Sequence, residues 1–149
     1  MSIGYWNVNG LSYANKLHNS WIFKSEAITQ LNCDIICICE TFLKGNNSPT
    51  IDGYTWIGNN RKNVGANSLR GAGGVGMFIK DVLYARYDFR VLNDEVDDIL
   101  WVKVTTKADR DNLLVCVCYI PPIGSSRVID DIECFDMLLA QVSDYQNIG

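Results

Sequence analysis

Asp34-Ile35-Ile36-Cys37-Ile38-Cys39-Glu40 (DIICICE) is the stretch on which the fold turns. Five consecutive apolar residues between two carboxylates are too short for an ordinary helix and too continuous for a strand with one wet face. The run therefore reads as a strand buried on both sides, at the centre of a layered domain. A glutamate directly after such a strand is expensive to desolvate unless it is paired, bound to a cation or turned to water. Strand ends of this kind in α/β sheets are where ligands collect. Glu40 is thus the first candidate site residue, with solvent exposure or turn capping as the alternative.

Working outward, Ser2–Val8 (SIGYWNV) reads as a first strand closed by Asn9-Gly10. Leu17, Trp21, Ile28 and Leu31, with Phe23 and Ala27 nearby, give Asn15–Leu31 a helical stripe. After Glu40 come a polar loop (Thr41–Thr50), a short strand (Gly53–Gly58) and a long polar stretch (Asn59–Arg70). Gly74–Lys80 and Tyr84–Leu92 read as strands, and Asp94–Asp98 as an acidic turn. Ile99–Thr106 and Leu113–Tyr119 form a hairpin across Asp109–Asn112. Pro121-Pro122 ends that strand, and Val128–Val142 reads as a helix with Ile132, Phe135, Leu138, Leu139 and Val142 on one side. The order β-α-β, hairpin strands, α predicts a mixed α/β layered domain.

The chain has 149 residues, 48% of them apolar and 20% charged, which places it among globular domains with a real core. Its net charge of −4 gives no basic arm. No apolar run approaches the roughly 18 residues needed to span a bilayer. Met1–Leu11 lacks the basic and apolar regions of a secretory signal, so an intracellular protein, nuclear or cytoplasmic, is expected. Cys37 and Cys39, like Cys116 and Cys118, are spaced two apart in apolar runs, which suits core thiols better than disulfides or a metal site. The only histidine, His18, falls in a helix pattern.

Gly71-Ala72-Gly73-Gly74-Val75-Gly76 satisfies GxGxxG, but a strand follows it where a nucleotide site needs a helix. The glycines read instead as a tight entry to a strand packed against a neighbouring backbone. Asn7 and Tyr119 end their strands as Glu40 does; turn chemistry and simple packing are their alternatives. Arg61, Lys62 and Arg70 hint weakly at phosphate contact, and a solvated loop is the better explanation of them.

Taken in order, these segments resemble the endonuclease/exonuclease/phosphatase superfamily. Trp6-Asn7-Val8-Asn9-Gly10-Leu11 resembles its first motif, and Asp34–Glu40 with Thr41 and Leu43 its second. Gly53-Tyr54, Arg61 and Gly73-Gly74-Val75-Gly76 with Phe78-Ile79-Lys80 are similar to the next stretch. Leu100-Trp101-Val102-Lys103-Val104 and Val115–Pro122 (VCVCYIPP) complete the series and look most like the endonuclease of LINE-type retrotransposons. The resemblance implies a four-layer, DNase I-like α/β sandwich with a mainly antiparallel sheet and flanking helices. It implies DNA as partner, Mg²⁺ or Mn²⁺ coordinated by Glu40, Asn7 supporting the catalytic hydrogen bonds, and Tyr119 bonding the phosphate. Asn9 stands where many relatives carry aspartate.

The family's later glycine–aspartate–phenylalanine–asparagine and serine–aspartate–histidine motifs have no counterpart here. The expectation is therefore a partial domain, residues 1–149, that is inactive alone. If each half of the fold supplied one sheet, Ile35–Cys39 would lie uncovered on one face and the chain would tend to associate through it. The alternatives are a non-catalytic, partner-binding remnant and another phosphoesterase of the same superfamily.

Overall fold

The structure, a computed structural model, describes residues 1–11, 19–62, 71–121 and 134–146. Among the described residues seven strands form in chain order: β1 (Ile3–Asn7), β2 (Ile35–Cys39), β3 (Tyr54–Asn59), β4 (Val75–Lys80), β5 (Tyr87–Asn93), β6 (Ile99–Thr106) and β7 (Asn112–Cys118). Helix α1 spans Asn19–Leu31 and α2 spans Cys134–Tyr145. The strands make two sheets, β1-β2-β4-β3 and β5-β6-β7. Among the described strands only β1 and β2 run parallel, with Ile3 opposite Ile35 and Asn7 opposite Cys39; the other pairings of these strands are antiparallel. A parallel pair needs a long crossover, and α1 lies on the one between β1 and β2.

The period-two alternation of β2 sends its side chains to two separate cores. Ile35, Cys37 and Cys39 pack with Val75, Met77 and Ile79 against Leu100, Val102, Val104, Val115 and Val117 of the second sheet. Ile36 and Ile38 point the other way, with Phe78, onto Trp21 and Ile28 of α1 and onto Val8, Leu11 and Leu43. All five β2 residues are buried. The expected uncovered face on this strand is therefore absent, because the chain supplies strands to both sheets of the sandwich. Exposure falls on β1 instead, where Ile3 and Tyr5 are 50% and 62% exposed at the edge of their sheet.

Both helices depart from their sequence stripes. In α1, Trp21 and Ile28 are buried, but Phe23 and Leu31 face solvent; Leu17 lies outside the described residues. In α2, Phe135, Leu139 and Val142 are exposed, and the partly buried face is Cys134, Leu138, Gln141 and Tyr145. That face meets Trp101: its Nε1 donates to Gln141 Oε1 at 2.8 Å, and its ring stands edge-on to Tyr145 at 5.1 Å. An indole with a polar N–H needs a partner when covered, and this selects the polar side of the helix over its apolar side. The predicted strand Tyr84–Leu92 begins instead as a 3-10 turn, Asp81–Ala85.

Phe78 is fully buried and packs, tilted by 52°, against Trp56 at 4.6 Å and edge-on against Tyr54 at 6.4 Å. Phe78→Ala is expected to cost about 3–5 kcal/mol in urea unfolding, by lost burial plus a cavity. Val82→Ala, at a position 73% exposed, is expected to change the midpoint little.

Candidate active site

The three predicted site residues lie on strands that finish at one end of the sandwich. Asn7 is the last residue of β1 and sits in register with Cys39; Glu40 follows β2; Tyr119 follows β7. The two sheets meet there: Cys39 Sγ donates to the Cys118 carbonyl at 3.2 Å. The Cys39 thiol beside the Tyr5 phenol raises that phenol's pKa. β2 and β7 are thus linked just beneath the candidate residues.

Beyond the strands, the backbone keeps the first two candidates side by side. Val8 N bonds Cys39 O (3.1 Å), Gly10 N bonds Glu40 O (2.6 Å) and Leu11 N bonds Thr41 O (2.8 Å), so the parallel pairing continues past both strand ends. Gly10 has φ +90°, and a Cβ there would stand 2.7 Å from the Phe42 ring, which explains the glycine. Asn7 Oδ1 accepts from Asn9 N at 3.1 Å, so the turn role is real for its oxygen. Glu40 has φ 53° and Phe42 φ 53°. Left-handed backbone on non-glycine residues costs on the order of 1–3 kcal/mol and persists where the surroundings over-determine it. Here Thr41 N and Phe42 N bond Gly74 O (3.1 Å) and Gly73 O (2.9 Å), and Gly71 N bonds Phe42 O (3.0 Å). The glycine run is the close-packed strand entry that its sequence context suggested.

Three contributors escape sequence reasoning. The first is Lys24 of α1, whose Nζ donates to Val8 O at 2.8 Å and also to Gly10 O. Burial lowers its pKa, and the two carbonyls at the end of β1 compensate the lost hydration. The second is Asn59, whose Nδ2 donates to Val96 O and Ile99 O, both at 2.8 Å, joining the end of β3 to the start of β6.

The third is Arg61 with Asp98. Arg61 is no solvated loop residue: it is 7% exposed, and its guanidinium meets Asp98 Oδ2 at 2.6 Å. Asp98 is 2% exposed rather than part of an open acidic turn. Its Oδ1 accepts from Gly74 N at 2.5 Å, and its carbonyl accepts from Tyr119 N at 2.9 Å. A buried carboxylate needs such partners. Through them Asp98 fixes the glycine entry and the backbone of Tyr119 together. Arg70 and Pro122 lie outside the described residues, as does His18.

Among the described residues no group of three or more His, Cys, Asp or Glu is arranged to hold a metal ion. Glu40, half-buried, brings one carboxylate to this end. That suits a cation such as Mg²⁺, which commonly takes one or two carboxylates and completes its shell with water and substrate phosphate.

Asp98→Ala strands a buried guanidinium and is expected to lower stability by about 3–5 kcal/mol. Arg61→Met combined with Asp98→Ala is expected to unfold at higher urea than Asp98→Ala alone. A double mutant less stable than the single would show that the pair is not what Asp98 stabilises.

No family profile and no curated protein matches the chain. Solved structures do match its fold, among them the human Nocturnin catalytic domain with a bound sulfate anion. That superposition has a TM-score of 0.60 at 12% identity, and covers 98% of this chain and 59% of the neighbour. The chain therefore spans about three-fifths of that domain's length. At this identity the likeness establishes architecture alone: the two-sheet α/β sandwich is a fold that this chain shares with that domain.

Proposed function

We propose that the chain is part of a metal-dependent phosphodiester hydrolase, a DNA-nicking endonuclease of LINE-type retrotransposon origin. The observation that carries this reading is the meeting of Asn7, Glu40 and Tyr119 at one end of the sandwich. The left-handed backbone of Glu40 lies directly beyond the buried β2. The sheet end supports it further, as the usual ligand position in α/β folds. The shared fold supports the superfamily resemblance that the motif order suggests. The finer assignment rests on the tryptophan–valine strand and the Tyr119-Ile120-Pro121-Pro122 ending.

In this reading Glu40 holds Mg²⁺ or Mn²⁺ against a phosphate oxygen, and the bound cation polarises the phosphoryl group and stabilises developing charge. Tyr119 donates its hydroxyl to the phosphate, from a backbone tied to Asp98. Asn7 offers amide donors beside it. Water activation needs a base, and the sequence supplies no Gly-Asp motif and no histidine except His18. The 149-residue chain is accordingly expected not to nick supercoiled plasmid with Mg²⁺ or Mn²⁺. Mn²⁺ binding, followed by electron paramagnetic resonance, is expected to weaken about tenfold or more in Glu40→Gln. Unchanged binding would remove Glu40 from the metal site; robust nicking abolished by Glu40→Ala would show that the chain provides its own base.

A second reading, a partner-binding module, is favoured by the apolar surface at Ile3 and Tyr5 of β1 and at Phe135 and Leu139 of α2. Apolar surface of this kind drives association where it is contiguous. The purified chain is then expected to self-associate in sedimentation experiments, and Tyr5→Lys to reduce it. A monomer with one cooperative unfolding transition would contradict this reading. No helix among the described residues is long and apolar enough to cross a membrane.

A further inference from the structure

The face of β1 that turns toward the second sheet is bare, although its other face is covered. Paired residues of parallel strands share a face, so Ile3, Tyr5 and Asn7 point the same way as Ile35, Cys37 and Cys39, into the space between the sheets. Gly4 and Trp6 point outward with Ile36 and Ile38, and Trp6 packs on the core that includes α1. Yet the three inward residues are exposed and the two outward ones are partly covered. The stacking of the sheets gives the reason. β7 lies over β2 and β4, and β6 lies over β4 and β3. Among the described residues β7 ends its sheet, so no strand of that sheet stands over β1. Leu113, inward-facing like Val115 and Val117, is exposed on the same edge strand.

The wall of this gap is main chain. In an antiparallel pair, opposed residues alternate between bonded and unbonded positions. Thr106 N bonds Asp111 O and Tyr119 N bonds Asp98 O at the two ends of the β6–β7 pair, and the register runs without a shift between them. Leu113, Val115 and Val117 therefore bond β6. The N–H and C=O groups of Leu114, Cys116 and Cys118 point away from it, along the free edge. Cys39 Sγ donates to the Cys118 carbonyl, and the other groups of these three residues pair with no described strand.

Such edges invite pairing, and proteins guard them with charge, proline or bulges. β5, the opposite edge of the sheet, has Asp88, Arg90 and a register shift between Val91 and Asn93. β7 (NLLVCVC) has none of these. The superposed domain, 59% of which is matched, carries further polypeptide beyond the shared sandwich. We propose that the free edge of β7 and the bare face of β1 form one docking groove, which takes an extended strand from a partner polypeptide. The partner's main chain pairs with Leu114, Cys116 and Cys118, and its alternate, apolar side chains cover Ile3, Tyr5 and Leu113. The inference rests on the partner-binding reading, whose partner it names, and does not need the hydrolase.

The probe is a synthetic peptide of alternating valine and threonine, capped at both termini, with a lysine at each end to suit the chain's net charge of −4. Amide exchange of the 149-residue chain is followed by NMR over a series of chain concentrations, with and without the peptide. In the free chain the amides of Leu113, Val115 and Val117 are expected to be slow and those of Leu114 and Cys116 fast. The peptide is expected to slow the latter two at least about tenfold. Leu114→Pro removes an N–H that β6 does not use, a position where an edge strand tolerates proline. Its urea midpoint is expected near that of Leu114→Ala, with peptide binding weakened about tenfold or more, as in Tyr5→Lys. Slow Leu114 and Cys116 amides in the free chain, peptide protection confined to β1, β3 or β5, or binding unchanged by Leu114→Pro would each overturn the groove. Protection of these amides that grows with chain concentration, without peptide, would give the groove to a second copy and overturn the proposed occupant. If Leu114→Pro does not fold, the wild-type exchange decides alone. A monomer that takes the peptide along β7 removes self-association and keeps the groove. A chain that self-associates while the β7 amides stay fast with peptide present does the reverse.

Discussion

The Asp98 carboxylate is the point at which the two sheets, the glycine entry and the last strand are tied to one another. One oxygen meets the Arg61 guanidinium at 2.6 Å and the other takes the Gly74 amide, while its backbone carbonyl receives Tyr119 N. Arg61 follows β3, Gly74 precedes β4 and Tyr119 follows β7, so one residue before β6 fixes three separate segments. A Cβ at Gly73 would collide with that carboxylate, which ties the glycine's presence to the ion pair. A buried charge pair adds little net stability compared with an apolar filling of the same space, yet breaking it is costly. Its effect is to allow one arrangement of these loops.

On that frame the strand ends assemble layer by layer. Lys24 clamps the turn after β1, and Gly10 and Leu11 continue the parallel ladder onto Glu40 and Thr41. The left-handed residues Glu40 and Phe42 are held by bonds of their neighbours to the glycine loop. The resulting edge combines a carboxylate, an amide and a phenol on backbones that are fixed independently of any ligand.

Much of this edge was legible in the chain's one-dimensional pattern. The run Ile35–Cys39 announces a strand covered on both sides, and the pattern singles out the last residue of β1 and the residues after β2 and β7. The helix faces were not legible in the same way. Phe135, Leu139 and Val142 form the apolar stripe of α2, but the covered indole of Trp101 requires an acceptor and Gln141 provides it. The loop charges were also misjudged in sequence, because Arg61 and Asp98 are 37 residues apart and each looks solvated alone. Only their approach across the sandwich makes either one buried.

The sequence by itself therefore determined the elements and their order, since strand periodicity, turn chemistry and glycine placement act over a few residues. It also determined which residue types stand at the strand ends. Tertiary structure alone decided that these ends meet, that both sheets come from this chain, and that the uncovered apolar surface lies on β1 and α2 instead of β2. The physical reason is range. Periodicity reports the two faces of a strand, but not what lies against each face. Burial, charge pairing and hydrogen-bond satisfaction depend on partners brought from distant parts of the chain.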